Sequence, residues 1–598
     1  MAMLPWLDQP VMLHSSRNPG KCSMTPEQCA FKSQYWVFWY EADHRYALPT
    51  VAFFLVAIIL FTIAHLITLI FPRRFQSNPV WLRLLSFFRF LSYKSWRVAG
   101  WNTQSLGVAL LGAAGLVFFL AMTLGPHPYY WPNTMELSYG SSPPIATRAG
   151  FMALACMPFL VYDATCSFSS TNPITALTAI SHEKLNVWHN WIAWAMFVLA
   201  LVHTFPFIVY HIWMGDIVEK WTDGGVWVTG VVALIAQAWL TFMSVPWIRN
   251  RYYEFFKATH FFMAMVFIVF FFFHCDFRMS SWDYFIATAV LYTLCWLYAQ
   301  CRTWFEHGIR HKARLAAESE ETLKITIDTN MNWMPGQHIF LRFLTCGVHA
   351  LTAHPFTICS VPQRGTRNQL VFYVKRRGGL TGRLMSLAKK NPDIQVPVLL
   401  DGPYGGLPTG KSMDYDRNLV IGGGAGAGLT LSMIEDFIRF GEYKHGKEMK
   451  VIIATRDPGL RAWYLQALED MAGRQARQQA VPGLSIHLHE TYTDAKGSES
   501  DSSEPKLEDT KTQSVGSKEW KFAVTDVFNV QFFTGRPDLP VLIRQTADQD
   551  NVSVGVIVCG PSSMTHDVGE AASAAQSRIL ARRPGGAREL WLHTENFS

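Results

Sequence analysis

Seven stretches of mostly apolar residues, each close to the roughly 20 residues a helix needs to cross a bilayer, fill the first half of this 598-residue chain. They run from Leu48 to Phe71, Ser105 to Leu124, Ala146 to Phe168, Leu185 to Val209, Val226 to Val245, Phe255 to His274 and Tyr284 to Cys301. Such a stretch can enter hydrocarbon only as a helix, because every backbone N–H and C=O must be satisfied internally. Half of all residues are apolar and only 16% are charged, against roughly 25% charged in an average soluble domain. The first half is therefore a lipid-bilayer domain, and a chain this long carries two or more domains in all.

The charges report topology. The first connection between spans carries Arg73, Arg74, Arg83, Arg89, Lys94 and Arg97, and the fifth span ends at Arg249, Arg251 and Lys257. Cytoplasmic loops are enriched in Lys and Arg, so these connections face the cytosol. The stretches from Gly125 to Pro144 and from Gly215 to Gly225 hold almost none and face out. An odd number of spans puts residues 1–47 outside and everything after Arg302 in the cytosol. A net charge of +7 over this length leaves no nucleic-acid footprint. The ten cysteines show no paired C-x-x-C set for zinc or an iron–sulfur cluster. Cys22 and Cys29 stand apart in the polar N-terminal segment, and a disulfide between them is left open.

From about Leu315 the pattern changes to short β-branched runs such as Leu323 to Asp328 and Leu370 to Lys375, which predict a small antiparallel sheet or barrel over residues 302–412. A second soluble unit, 413–598, opens with Leu419 to Ile421 entering a glycine cluster, a helical stretch, and the strand Val451 to Ala454, a β-α-β unit. Asp494 to Lys518, rich in Ser, Glu, Asp and Lys, cannot bury enough apolar surface to fold and reads as a disordered insertion.

Ionisable or ligating residues inside a bilayer are functional candidates by default. The fourth span contains His189 and His203 and the sixth His260 and His274, and both separations are fourteen residues. At about 100° per residue that spacing is four turns less about 40°, so each pair lies on one helix face about 21 Å apart. Two such helices facing each other would clamp one haem near each membrane surface, His189 with His260 and His203 with His274. Two axial nitrogens leave the iron no open position, which suits electron transfer. A single intramembrane histidine is more often a packing residue; the matched spacing is what argues otherwise. His65, His182 and His211 are read as packing or boundary residues. Phe267, midway between the second pair, fits ordinary packing as well as a position between haems.

Three short strings follow in the first soluble unit: His354-Pro355-Phe356-Thr357 with Ser360 close behind, Gly378-Gly379-Leu380-Thr381, and Gly402-Pro403-Tyr404-Gly405. Small residues let backbone N–H groups approach a pyrophosphate, and hydroxyls can bond a flavin ring or its phosphates. Each string alone is a hairpin turn; their order matches a flavin-binding barrel. In the second unit Gly422, Gly423, Gly424, Gly426 and Gly428 lie directly after a strand and before a helical stretch, the context a phosphate-cradling turn requires. Arg456, in Thr455-Arg456-Asp457 after the next strand, places a cation where an adenosine ribose would lie and favours NADPH over NADH. The apolar run from Val552 to Val558 ends in Cys559-Gly560-Pro561, a turn able to approach a nicotinamide. The chain closes with Glu595-Asn596-Phe597, whose aromatic ring could stack on the flavin.

With these residues in view, nearly the whole chain resembles the ferric reductase and NADPH oxidase superfamily, and within it the fungal ferric/cupric metalloreductases. The resemblance implies a multi-domain membrane protein: a seven-helix haem bundle over 48–301, a β-barrel FAD-binding domain, and a ferredoxin reductase-like α/β NADP-binding domain. It implies FAD, NADPH and two b-type haems as cofactors, with His189, His203, His260 and His274 as the haem ligands. It gives Cys559 and Phe597 places beside the nicotinamide and the flavin. The Ser after Phe597 departs from relatives that end in an aromatic. The segment from Tyr35 to Tyr46 looks like the family's extracellular lead into an additional first helix. The implied acceptors are extracellular ferric chelates, with cupric ion as a second substrate. The implied setting is the plasma or vacuolar membrane beside an iron-uptake permease or oxidase. Seven spans and equal histidine spacings favour this reading over a superoxide-forming oxidase, and a receptor or transporter would leave the histidine pairs unexplained.

Overall fold

The computed structural model describes residues 26, 29, 41–70, 78–130, 143–165, 173–180, 182–345, 347–363, 367–407, 415–441, 446–473, 480–491, 527–581 and 585–596. Two compact units result, Met1–Pro72 with Leu110–Arg302, and Arg73–Ala109 with Thr303–Ser598. Through residue 301 the longer helices are, in chain order, α1 (Leu48–Ile70), α2 (Pro79–Tyr93), α3 (Leu106–Leu124), α4 (Pro144–Thr165), α5 (His182–Met214), α6 (Val226–Phe242), α7 (Tyr253–Cys275) and α8 (Ser281–Cys301).

All of these but α2 are apolar, and six are long enough to cross a membrane. The difference from seven full spans lies in α6, which has 17 residues and so rises only about 25 Å. Its start is set by Gly225, at φ 57°, a left-handed backbone that glycine adopts without strain. Pro246 opens the next short helix, Pro246–Arg251, so the helix ends before the apolar run does. Within the bundle α4 is the buried element: Ala146, Ala149, Met152, Ala155, Cys156 and Met157 have no exposed surface. Small side chains let neighbouring helices approach closely where lipid supplies no hydrophobic drive. By contrast Leu60 and Ile70 of α1 and Val117 of α3 are exposed, the pattern of a face turned to hydrocarbon.

Among the described residues the second unit holds two six-stranded sheets beside a short two-strand hairpin. The first is antiparallel, with strands β1 (Lys312–Ala317), β2 (Thr322–Thr329), β3 (Gln337–Phe343), β4 (His354–Thr357), β5 (Asn368–Lys375) and β6 (Gln395–Gly405) in the order β4-β3-β6-β1-β2-β5. Leu323, Ile325 and Ile327 alternate inward on β2, the period-two pattern of a sheet with one buried face. Helix α9 (Gly379–Lys390) joins β5 to β6.

The second sheet is parallel throughout. Its strands are β7 (Arg417–Gly423), β8 (Glu448–Thr455), β9 (Leu484–Glu490), β10 (Val530–Thr534), β11 (Ser553–Gly560) and β12 (Glu589–Asn596), ordered β10-β9-β8-β7-β11-β12. Helices α10 (Ala427–Gly441), α11 (Pro458–Gly473), α12 (Leu539–Ala547) and α13 (Ser562–Leu580) connect them. Every residue of β11 is buried, as expected of a strand covered on both faces. The chain steps from β7 to β8 on one side and returns at β11 on the other, so the carboxyl end of β7 is the switch point where such sheets bind ligands.

Helix α2 was not foreseen. Asn78 accepts a hydrogen bond from Val80 N at 2.8 Å with Pro79 at the first helical position, a cap and a pre-set φ that start a helix here. A two-strand hairpin, Arg97–Val98 with Trp101–Asn102, follows it. The expected insertion 494–518, Cys22 and Phe597 lie outside the described residues; Cys29 is disulfide-bonded.

Candidate functional site

In the first unit α5 and α7 bring the four histidines together in two pairs. The ring centroids of His189 and His260 are 6.3 Å apart and those of His203 and His274 are 5.8 Å apart. Two imidazoles on opposite sides of one metal, each with a nitrogen about 2 Å from it, put their centroids roughly 6 Å apart. Both pairs meet that distance.

The free coordination sites follow from the other ring nitrogens. His203 Nδ1 lies 2.8 Å from Ala146 O, His274 Nδ1 2.8 Å from Val226 O, and His189 Nδ1 3.0 Å from Leu160 O. A carbonyl only accepts, so each of these Nδ1 atoms carries the proton and each Nε2 keeps a lone pair for a metal. His260 Nδ1 is 3.4 Å from Ser244 Oγ, a looser support. Glycines open the space: a Cβ on Gly150 would stand 2.6 Å from His203 Nδ1, and one on Gly230 2.6 Å from His274 Nδ1. A larger residue at either of these two positions would displace the ring it faces. Phe267 is buried and stacks on Phe271 at 5.2 Å.

Arg148 stands between Ala146 and Gly150, two residues of α4 that lie against His203. It is fully buried, donates through Nε to Thr123 O at 2.8 Å and lies 5.5 Å from the Tyr129 ring centroid. One of its terminal nitrogens is buried without a hydrogen-bond partner. Arg148 also hydrogen-bonds the Tyr46 side chain; one buried guanidinium nitrogen left unpaired is still costly, and the carboxylate of a haem propionate would complete it. Paired imidazoles at the separation of two ligands to one metal, three of them with Nε2 left unprotonated, and a buried cation beside one pair are a set of residues that two bis-histidine haems would fit.

In the second unit the flavin strings take distinct local forms. His354 to Thr357 is β4 itself, paired with β3, and His354 Nε2 lies 3.1 Å from Thr352 Oγ1. Gly379 to Thr381 is not a hairpin turn but the first turn of α9, where Thr381 Oγ1 accepts from Arg377 N at 2.9 Å. Ser360 Oγ donates to Gln369 O at 2.8 Å and accepts from Val371 N at 3.2 Å, so it already serves the sheet. Gly402, at φ 146° and with Ile339 2.9 Å from any added Cβ, lets β6 cross closely over β3. Tyr404 is buried and its hydroxyl donates to Asp401.

The nucleotide strings converge on the switch point. Cys559 pairs across the sheet with Gly422, and Ala454 with Gly423. A Cβ on Gly426 would stand 2.1 Å from Cys559 O, and one on Gly428 2.6 Å from Cys359 Sγ. Burial pushes the Cys359 thiol up to about 12, so it packs as a neutral group. Gly424, at φ 53°, meets nothing within 4 Å; this open side, at the start of α10, is where a phosphate can approach the helix N-terminus. Gly560 and Pro561 flank the same turn, since Cβ atoms on Gly423 and Gly560 would both meet Met564. Arg456 is exposed just past the end of β8.

Three family models match consecutive parts of the chain: the ferric reductase like transmembrane component over residues 149–271, an FAD-binding domain over 308–407, and the ferric reductase NAD binding domain over 415–573. The chain belongs to the fungal ferric reductase family. Among similar proteins is a probable cell surface ferric reductase kap2 of Aspergillus oryzae, 28% identical over 68% of this chain and 55% of that one. Ferric/cupric reductase transmembrane component 7 of Saccharomyces cerevisiae is 24% identical, covering 86% of this chain and 84% of that one. Ferric reductase transmembrane component 3 of the same yeast is also 24% identical, over 92% and 77%. Among solved structures, flavohemoglobin from Malassezia yamatoensis is 14% identical over 75% of this chain and 96% of that one, with a TM-score of 0.31.

In this ferric reductase family member, several site residues escaped sequence reasoning. Gly150, Gly230 and Arg148 carry no local motif; an arginine and two glycines inside apolar runs were the available signals. His338 was also missed. It lies 6.3 Å from the Tyr404 ring, and burial lowers its pKa against the opposing pull of the Glu595 carboxylate.

Proposed function

We propose that this family member is a transmembrane ferric-chelate reductase that draws on cytosolic NADPH and reduces ferric chelates, with cupric ion as a second substrate, on the far side of the bilayer. The observation that carries this reading is the facing histidine pairs, each with the separation of two axial ligands. When bound, FAD accepts a two-electron hydride and returns electrons singly, and bis-histidine haems relay single electrons.

The chain's own residues position these groups. His189 with His260, and His203 with His274, would each hold one haem iron, and the carbonyls of Leu160, Ala146 and Val226 fix three of the four rings. Arg148 would offer its unpaired nitrogen to a propionate of the haem held by His203 and His274. His354 to Thr357, Ser360, Gly379, Thr381, Gly402 and Tyr404 line the flavin site of a barrel formed by β1–β6. Gly422 to Gly428 give the NADPH pyrophosphate a turn without side chains, and Arg456 meets its 2′-phosphate. Cys559 to Pro561 border the nicotinamide, and Phe597 stacks on the flavin. α6 completes a seven-helix bundle, with the N-terminus outside and both soluble domains in the cytosol. The plasma membrane is the favoured location, and iron uptake through a permease or oxidase system the favoured role.

The test is a reduced-minus-oxidised spectrum of membranes given NADPH, with ferrous product followed by ferrozine under argon, in the wild type and in His203→Ala. A low-spin b-type band and ferrous formation, both diminished in the variant, are expected. Ferrous formation without any haem band would overturn the transmembrane route, and superoxide formation in place of ferrous product would point to an oxidase.

A further inference from the structure

The first cytosolic connection does more than carry topology-setting charge. Within the second unit α2 and the hairpin after it are fastened to two elements of the nucleotide domain, α13 and β12. Arg89, 8% exposed, bonds Glu589 at 2.9 Å and Leu590 O at 3.1 Å. Tyr93 OH accepts from Leu592 N at 3.0 Å. Lys94 pairs with Glu570 at 2.6 Å, whose other oxygen accepts from Ser95 N at 2.9 Å. Ser95 Oγ lies 2.9 Å from His566 Nδ1, Arg97 pairs with Asp567 at 3.3 Å, and Asn102 donates to Ser562 O at 2.9 Å.

Two features separate this contact from incidental surface pairing. Every ion pair runs the same way, with cations on the connection and anions on the nucleotide domain, an electrostatic match that fixes register. The partners are also well chosen in the chain. Ser562 to Glu570 is the first half of α13, which starts directly after Cys559-Gly560-Pro561, and β12 leads to Phe597. The segment that joins α1 to α3 therefore holds the two elements that carry the nicotinamide-side turn and the terminal aromatic.

We propose that Arg89, Lys94 and Arg97 are positioning residues for hydride transfer, and that residues 79–102 form a clamp fixing the nicotinamide-side turn against the flavin. The proposal rests on the reading of Cys559 to Pro561 as the nicotinamide side. The residues touch neither nucleotide nor flavin; they act by holding α13 and β12 in one place. A displacement of about 1 Å at a reacting pair can cost on the order of a hundredfold in rate, so loss of the clamp acts on rate more than on nucleotide affinity.

The experiment uses the full-length protein in lipid nanodiscs loaded with flavin and haem, mixed anaerobically with NADPH in a stopped-flow instrument. Lys94→Glu, Glu570→Lys and the double variant are compared with the wild type, across NADPH concentration. Each single variant is expected to lower the limiting rate of flavin bleaching by about tenfold or more while the NADPH concentration dependence stays within about threefold, and the charge-swapped pair is expected to recover most of the rate. Thermal melting and dithionite-reduced haem spectra, unchanged among the four proteins, show that folding is not what changed. Single variants that bleach flavin at the wild-type rate, or a double variant that stays as slow as the singles, overturn the clamp. A wild type whose flavin is not bleached by NADPH overturns the underlying site reading instead.

Discussion

His203 and His274 face each other at 5.8 Å between ring centroids, and each turns its Nδ1 to a main-chain carbonyl 2.8 Å away on a third or fourth helix. The orientation of this pair is thus set by α4 and α6 as much as by the helices that bear the histidines. A metal ligand whose far nitrogen is held in this way keeps one tautomer and one orientation.

The glycines beneath those rings give the first prediction. Gly150→Ala and Gly230→Ala each place a methyl group 2.6 Å from an Nδ1, and overpacking of this kind costs about 1–3 kcal/mol. Haem bound per protein, measured by pyridine haemochrome, should fall by up to about half, because one of two sites is affected. Gly115→Ala in α3 meets nothing closer than 3.8 Å and should leave haem content unchanged.

Arg148 supplies the second. Removing a cation beside a redox group makes an added electron less favourable, so Arg148→Gln should lower the midpoint potential of one haem by tens of millivolts, where about 59 mV is a tenfold change for one electron. Arg148→Lys should fall between the two. Spectroelectrochemical titration resolves the shift, and a potential equal to the wild type would separate Arg148 from the haem.

The cofactor preference gives a third. Charge-assisted hydrogen bonds to a phosphate contribute about 1.5–3 kcal/mol, so Arg456→Ala should raise KM for NADPH by roughly 10- to 100-fold. KM for NADH should not change, since NADH lacks the 2′-phosphate. Steady-state kinetics with both nucleotides and one ferric chelate make the comparison.

Acidification should weaken the nucleotide domain through His487. Burial, with the nearby charges of Lys450 and His489, lowers its pKa from about 6.5 to about 4, and its ring lies 4.9 Å from that of Phe533. Between those two values the unfolded chain holds a proton that the folded domain refuses, so stability declines as pH drops through that window and is fully kept above it. Melting temperatures at pH 7.5 and pH 5 should differ less in His487→Gln than in the wild type.

Much of this architecture was legible in the sequence because its signals are periodic or local. Span length, the fourteen-residue histidine spacing and the glycine run after β7 each arise from neighbours along one element. What sequence reasoning missed depends on elements distant in the chain. Arg89 and Glu589 are 500 residues apart, and nothing in the basic first connection distinguishes a charge that reports topology from one that meets a carboxylate. The length of α6 was missed for a different reason: its apolar run continues to Val245, while the backbone is broken by Gly225 and Pro246. Gly379 to Thr381 stood out as one of three flavin-type strings but not as the start of a helix, because glycine and threonine suit both turns and helix starts.

Val226 is both the first residue of α6 and the acceptor for His274, so α6 has no further turn to lay over the His274 ring. The orientation of that ring therefore depends on one peptide carbonyl at the very edge of a helix, where Gly225 brings the chain in at positive φ.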